Sequence, residues 1–332
     1  MFATRSLMTL ALLSAAASPA QNVTVTDADT IAVRDAKIRF SRGNPSPAAM
    51  ASGRIARFTQ PVRNAQTTPS NAERRFPADL SNSGGAVVTF AQSHAIYLNP
   101  IAPGFPNGTC TIANCWGDPE GFLRDLGVSE FIHLTDQYVK LTSSNRYTVG
   151  VSTNLPYTQS GPLSNNDILT RVHAVAASAG QSGYGHIYHV FLPPGQDVCQ
   201  SPGVCYSPDI PSTDFLCGYH GNADFFDIGH VIYTVEPYQL GGCSVAPGSP
   251  NGALADSTAN TLSHEMFETI TDPDFTAWFN STTIDLQGEE IGDVCSFFIP
   301  GFFDVPVFKI GNKNYAVQRE YDNISHSCST KQ

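Results

Sequence analysis

The sequence SHEMFETITDP occupies residues 263–273, and GEEIGDVC follows at residues 288–295. Within the first stretch, His264 and Glu268 are four residues apart, so on a helix they lie on the same face. Glu265 adjoins His264, which completes the pattern H-E-x-x-E. This is the H-E-x-x-H helix of zinc peptidases with its second histidine replaced by glutamate.

The hydrophobic pattern predicts a helix over residues 257–271, with Asp256 or Ser257 as its N-cap and Pro273 stopping it. At 100° per residue, the apolar side chains fall on one side of this helix, and the histidine and glutamates fall on the other. We therefore expect the apolar side to pack on a sheet and the polar side to face a cleft.

A metal ion is the expected ligand of the polar side. Zinc accepts imidazole nitrogen and carboxylate oxygen at about 2.0–2.2 Å, and a catalytic zinc site needs three protein ligands and one open position. His264 and Glu268 supply two ligands from one helix. Asp293 is our first choice for the third ligand and Glu290 our second. Glu265 is then the predicted general base that takes a proton from water.

One histidine and two carboxylates would neutralise a dication. Such a site is a weaker Lewis acid than one with two or three histidines. Zinc is the expected ion, and the oxygen-rich donor set makes Mn or Ca more acceptable than at a two-histidine site. The alternative is a solvated helix face without any metal.

His220 is a second candidate catalytic residue. It ends the sequence CGYH at residues 217–220, where Cys217 is available for a disulfide, and it is predicted to line the cleft. A purely structural role for His220 remains an equal alternative. The other histidines have no informative spacing, so we expect them in the core or on the surface.

The composition and charge of the chain limit the partners that it is expected to bind. The chain has 332 residues, of which 41% are hydrophobic and 14% are charged, and its formal net charge is −11. This charge argues against nucleic acid and anionic membranes as partners. An extracellular peptide or a cell-wall polymer is the partner that we expect.

The N-terminus predicts secretion. Arg5, an apolar run at residues 7–17 and small residues at 18–20 form a signal peptide over residues 1–20, and the run is too short to span a membrane. Residues 21–82 read as a flexible basic leader, because residues 1–80 hold ten Lys/Arg and five Asp/Glu. Arg74-Arg75 is a candidate processing site, although a solvated linker is favoured. The folded domain is predicted at residues 83–332.

The eight cysteines predict disulfides, because an even number follows a secretory signal. Eight cysteines allow 105 connectivities, so the sequence leaves the pairing open. Cys110–Cys115 and Cys295–Cys328 are the pairs that we favour.

Short strands mixed with a few helices predict a single α+β domain, loop-rich and disulfide-stabilised, with a mixed β-sheet. Besides the helix over residues 257–271, helices are predicted at residues 120–126 and 167–179. Strands are predicted at residues 86–90, 94–98, 187–192, 230–235, 305–308 and 315–317.

The chain resembles the secreted phosphate-induced protein 1 family, also called EXORDIUM-like, in its microbial members. The resemblance covers residues 80–330 and is carried by SGGAV at 83–87, CGYH at 217–220, the two stretches quoted first, AW at 277–278, VQREYDN at 317–323 and Cys328. It implies an extracellular or cell-wall protein. By analogy with zinc metallopeptidases, the helix suggests a zincin-like domain. The pairs Cys110/Cys115 and Cys199/Cys205 depart from the family pattern.

Two functions are expected from these observations. The first is a secreted zinc-dependent hydrolase, peptidase-like, that acts at the cell surface or wall. The second is a non-catalytic extracellular protein of cell-wall interaction or growth signalling, in which the same helix residues are structural.

Overall fold

The computed structural model describes residues 33–40, 78–100, 110–157, 161–201, 204–209, 217–240, 243–281, 288–298 and 305–332. The predicted signal peptide, its cleavage position and the Arg74-Arg75 site lie outside these residues.

A seven-stranded mixed sheet forms the centre of the described structure. Six strands follow one another in the order β1 (Val33–Phe40), β10 (Tyr219–Phe225), β11 (Gly229–Glu236), β7 (His186–Phe191), β3 (Ala91–Pro100) and β4 (Tyr147–Val149), and β5 (Thr153–Tyr157) also pairs with β3. The β1–β10 and β10–β11 pairs are antiparallel, whereas the remaining pairs are parallel.

Smaller sheets and seven helical segments surround this centre in the described ranges. The small sheets are β2 (Ser81–Asn82) with β12 (Trp278–Phe279), β13 (Val307–Ile310) with β14 (Lys313–Ala316), β15 (Glu320–Asp322) with β16 (Ser327–Ser329), and β6 (Leu163–Ser164) with β8 (Val198–Ser201) and β9 (Val204–Tyr206). The helices are α1 (Ile112–Cys115), α2 (Pro119–Gly127), a 3-10 turn (Ile132–Thr135), α3 (Asp136–Val139), α4 (Asn165–Ala179), α5 (Ala253–Thr271) and α6 (Ile291–Phe298). These elements confirm the predicted α+β class. None of the described helices combines the length and the apolar character needed to cross a membrane.

Two hydrophobic cores cover the two faces of the large sheet. Along β7, Ile187 and Phe191 belong to the core that includes α5, whereas Tyr188 and Val190 belong to the core that includes α4. This alternation follows from the two-residue period of a strand. The sheet is therefore sandwiched, and α5 packs on the face opposite α4.

The predicted helices exist, with corrected boundaries. Ser164 caps α4 through a reciprocal capping box with Asp167. In contrast, α5 begins at Ala253, and neither Asp256 nor Ser257 is its cap. Asp256 lies inside the first turn and accepts hydrogen bonds from Asn251, so the cap prediction was wrong.

Two predictions from local pattern were wrong. Residues 86–90 form no strand. Instead, the amide of Val88 donates to the carbonyl of Ile270 at 2.9 Å, and the side chain of Val88 is fully buried. The region after α5 was expected to contain only loops and two short strands, yet residues 291–298 form α6, which includes Asp293.

The predicted leader needs correction at two places. Residues 33–40 form β1, which pairs with β10 at the edge of the large sheet. Ala78 and Leu80 are buried in the core, and the Leu80 amide donates to Asn323 at 2.9 Å. The folded domain therefore includes both segments and does not begin at residue 83.

All eight cysteines lie in the described ranges, and each of them forms a disulfide. Both favoured pairs, Cys110–Cys115 and Cys295–Cys328, are confirmed. The other bridges are Cys199–Cys205 and Cys217–Cys243. The disulfide-stabilised fold is thus confirmed, and Cys295–Cys328 joins α6 to β16.

Removing the Cys295–Cys328 bridge should destabilise the fold more than removing Cys110–Cys115. The first bridge spans 33 residues and the second spans 5. Replacing Cys295 and Cys328 by alanine is expected to lower the free energy of unfolding by about 2–5 kcal/mol, because a longer closed loop restricts the unfolded chain more. Denaturant titration of both double variants measures this, and an equal or larger loss at Cys110–Cys115 would contradict it.

Candidate metal centre

Three elements bring six histidine and acidic side chains together in the interior. β10 contributes one, α5 contributes three, and the start of α6 contributes two: His220, His264, Glu265, Glu268, Glu290 and Asp293. The exposed fraction is 0% for four of them, 2% for Asp293 and 5% for His264. The solvated helix face is therefore excluded, and the polar side of α5 is covered by protein.

The CGYH segment packs directly on α5. A Cβ added to Gly218 would lie 2.7 Å from Glu265 Oε1, so only glycine allows this approach. Gln239 ties the two parts together, because its side chain donates to the carbonyl of Cys217 at 2.6 Å and accepts from Thr261 at 3.0 Å. These contacts place His220, two residues later, over the polar side of α5.

The start of α6 is fixed against α5 by the acidic residues themselves. The amide of Asp293 donates to Glu268 Oε1 at 3.2 Å, and the amide of Glu290 reaches Asp293 Oδ2 at 3.5 Å. Carboxylates at a helix N-terminus are favoured by its unpaired amides. Gln318 donates to the carbonyl of Gly292 at 3.1 Å and supports this turn from the other side.

The first group of converging side chains is His264, Glu268 and Asp293. His264 Nε2 lies 2.9 Å from Glu268 Oε1 and 3.5 Å from Asp293 Oδ1. One ligand atom from each residue lies within 4.8 Å of the other two. The structure thus brings together the three ligands that the sequence favoured. Glu290, the second choice, lies instead on the other side of His220.

The second group is His220, Glu265 and Glu268, whose ligand atoms also lie within 4.8 Å of one another. His220 Nδ1 lies 3.5 Å from one oxygen of each glutamate, and His220 Nε2 lies 3.7 Å from Glu290 Oε1. His220 and Glu265, which the sequence predicted as catalytic, are therefore neighbours inside the cluster. Glu268 belongs to both groups.

Burial and charge act against each other in this cluster. Burial alone would lower the pKa of His264, but the charge of Glu268 and hydrogen bonds to Asp293 and Glu268 hold the pKa above its usual value. Burial likewise opposes ionisation of Glu268, yet His264 and His220 lower its pKa to about 2. Burial dominates at Glu265 and raises the pKa of that carboxyl. Without metal, the cluster is held by ion pairs.

Three separations in the cluster are longer than a direct ion pair and match the spacing of ligand atoms around a metal ion. Charge-assisted hydrogen bonds between nitrogen and oxygen are about 2.7–2.9 Å long. Ligand atoms at about 2.1 Å from a tetrahedral zinc lie about 3.4 Å from one another. The His264–Asp293, His220–Glu265 and His220–Glu268 distances are all 3.5 Å. The 2.9 Å contact of His264 with Glu268, in contrast, has the length of a direct pair.

A line of polar residues on the same face of the sheet escaped sequence analysis. His220 pairs in register with Thr234, which pairs with His189. His189 Nδ1 lies 2.8 Å from Thr234 Oγ1, which donates to Glu236 Oε1 at 2.9 Å. Burial raises the pKa of Glu236, with the charge of Glu265 as a further cause. Alternation along β11 was the available signal for this line.

His189 should make the fold less stable in mild acid. Burial lowers its pKa from 6.5 to about 3, so between these values the unfolded chain binds a proton that the folded chain does not. The stabilisation from neutral His189 is complete above pH 6.5 and decreases as the pH is lowered from 6.5 towards 3. His189→Asn keeps a donor for Thr234 without titrating. Between pH 7 and pH 5, the variant should lose about 2 kcal/mol less unfolding free energy than the wild type. Equal losses in denaturant titrations would contradict this.

The fold and the cluster define a disulfide-bonded α+β protein with a buried histidine–carboxylate centre. No protein-family model matches the chain, and comparisons with curated proteins and with solved structures found no match.

Proposed function

We propose that this chain is a secreted, zinc-dependent hydrolase with a zincin-like centre, acting on extracellular peptides or cell-wall polymers. His264, Glu268 and Asp293 would hold the ion. The observation that carries the proposal is the convergence of one ligand atom from each of these residues within 4.8 Å, in the interior and on separate turns of two helices.

The donor set fits zinc by its chemistry, because it offers one imidazole nitrogen and two carboxylate oxygens. Bound zinc would polarise a substrate carbonyl and lower the pKa of water. Glu265 is the group that would accept a proton, since it adjoins the proposed ligand His264 and burial raises the pKa of its carboxyl. His220 Nδ1 lies 3.5 Å from Glu265 and would stabilise the charged carboxylate. Asp293 and His264 retain slight exposure, so substrate would approach from their side.

The setting supports an extracellular role. Four disulfides are typical of proteins that fold in an oxidising compartment. The signal peptide and the resemblance to EXORDIUM-like proteins, both inferred from sequence, point to the cell surface or wall. The net charge of −11 favours peptides or neutral polymers over nucleic acid.

Metal analysis of the secreted full chain tests the proposal. We expect stoichiometric zinc, hydrolysis of at least one member of peptide and glycan panels, and loss of both after dialysis against a chelator. Zinc should restore activity and the melting temperature, since an ion that binds only the folded state stabilises it. A chain that purifies without any metal and melts identically in chelator would end the proposal.

One observation favours a second candidate, a non-catalytic extracellular protein with a structural ion. Four of the six side chains are fully buried, and structural zinc sites are closed whereas catalytic sites keep an open position. Under this alternative, the protein retains its metal yet hydrolyses nothing in the panels. Rapid exchange of the bound zinc with added ⁶⁷Zn would argue for the open, catalytic site.

A further inference from the structure

The two oxygens of Glu268 face two different histidines. Oε1 lies 2.9 Å from His264 and accepts the amide of Asp293 at 3.2 Å. Oε2 lies 3.5 Å from His220 and has no hydrogen-bond partner among the described residues. A carboxylate that turns its two oxygens towards separate ligand groups is suited to bridge two cations, as in two-metal hydrolytic sites.

His220 completes the second ligand group. Its side chain is fully buried, and within the described part of the chain neither ring nitrogen forms a hydrogen bond. Its Nδ1 is 3.5 Å from both Glu265 and Glu268, which matches the edge of about 3.4 Å expected around a tetrahedral ion. Glu290 stands 3.7 Å from Nε2, where an outer carboxylate commonly orients a metal-bound imidazole.

The negative charge of the cluster also exceeds what one dication can neutralise. Glu265, Glu268, Glu290 and Asp293 carry four negative charges when ionised, against two histidines that must be neutral to bind metal. One dication leaves two negative charges buried, and uncompensated buried charge is strongly unfavourable. Two dications balance these four charges, and Glu289, whose pKa is raised by burial and by the neighbouring charges of Asp293 and Glu268, is a further carboxyl beside them.

We infer that the centre is dinuclear. A second divalent cation, of the zinc class because imidazole is among its donors, is held by His220 Nδ1, Glu265 and Glu268 Oε2. Glu268 bridges the two ions. The inference rests on the proposed function for the first ion, which lies nearer the surface, and it changes Glu265 from a free base into a ligand. The deeper ion then fixes β10 to α5.

Metal stoichiometry of the full chain separates one ion from two. After equilibration with zinc, mass spectrometry of the metal should give two ions per chain for the wild type. His220→Ala and Glu265→Gln should each retain one. The control His173→Ala should retain two, because His173 lies on α4 at the opposite face of the sheet. Circular dichroism checks that each variant is folded.

The outcomes distinguish the two proposals. One ion in the wild type, unchanged in Glu265→Gln, would overturn the dinuclear centre while leaving the single-ion hydrolase intact. No ion at all would overturn both. If the variants fail to fold, the wild type loaded with Mn²⁺ still decides the matter. Two ions should give a spin-coupled electron paramagnetic resonance spectrum, and an isolated-ion spectrum at saturation would overturn the inference.

Discussion

Glu268→Gln is expected to abolish metal binding at both positions, with each dissociation constant raised by about 100-fold or more. Glu268 is the one residue common to the two ligand groups found in the described ranges. An amide keeps the shape but removes the negative charge, and loss of one partner from a buried charged pair typically costs about 3–5 kcal/mol. That energy corresponds to two to four decades of affinity, at about 1.4 kcal/mol per decade. Zinc titration monitored by calorimetry measures both sites.

Glu236→Gln is the matched control for this prediction. Glu236 is also fully buried on the α5 face of the sheet, but Thr234 donates to its Oε1, and an amide oxygen accepts that bond equally well. Burial raises the pKa of Glu236, whereas His264 and His220 lower that of Glu268 to about 2. The control should keep wild-type metal content. If Glu268→Gln binds zinc as tightly as Glu236→Gln, the centre does not hold metal through Glu268.

The H-E-x-x-E helix could be predicted from the sequence because the pattern that defines it is local. Four-residue spacing fixes His264 and Glu268 on one face whatever surrounds the helix. The choice of Asp293 over Glu290 also agrees with the converging group, although the sequence placed Asp293 in a loop. Its position at the third residue of α6 brings its carboxylate back onto Glu290 and α5.

What covers the polar face of α5 was not accessible, because it depends on contacts between distant segments. His220 reaches the cluster only because residues 219–225 form β10, a strand that local pattern did not predict. Gly221, Asn222 and Asp224 are poor strand formers, and pairing on both edges overrides that propensity. The face of α5 that was expected to line a cleft is therefore covered by β10 and α6, with slight exposure left at His264 and Asp293.

In the predicted leader, the overall basic composition obscured a local strand pattern. Its basic residues suggested a flexible segment, but Ala36, Ile38 and Phe40 alternate with Lys37 and Arg39. Such alternation is typical of a half-buried strand, and charged residues are common on edge strands. β1 occupies such an edge, beside the strand that carries His220.

Gly292→Ala is expected to disrupt the centre although it adds only one carbon. A Cβ at residue 292 would lie 2.4 Å from His264 Nδ1 and 2.7 Å from its Cε1, well inside contact distance. The imidazole must then move away from Glu268 and Asp293, and overpacking of this kind costs about 1–3 kcal/mol. We expect loss of the ion held by His264 and a lower melting temperature.

Gly292→Ala is informative because helix propensity and the clash with His264 change the stability in opposite directions. Alanine normally stabilises a helix by up to about 1 kcal/mol relative to glycine, so without the clash the variant would be more stable. Gly185→Ala is the matched control, because a Cβ there meets no atom within 4 Å and the backbone is not left-handed. The control should bind metal normally and melt at or above the wild-type temperature. If Gly292→Ala behaves like Gly185→Ala, the His264 ring has room to move, and its contact with Gly292 does not set the metal position.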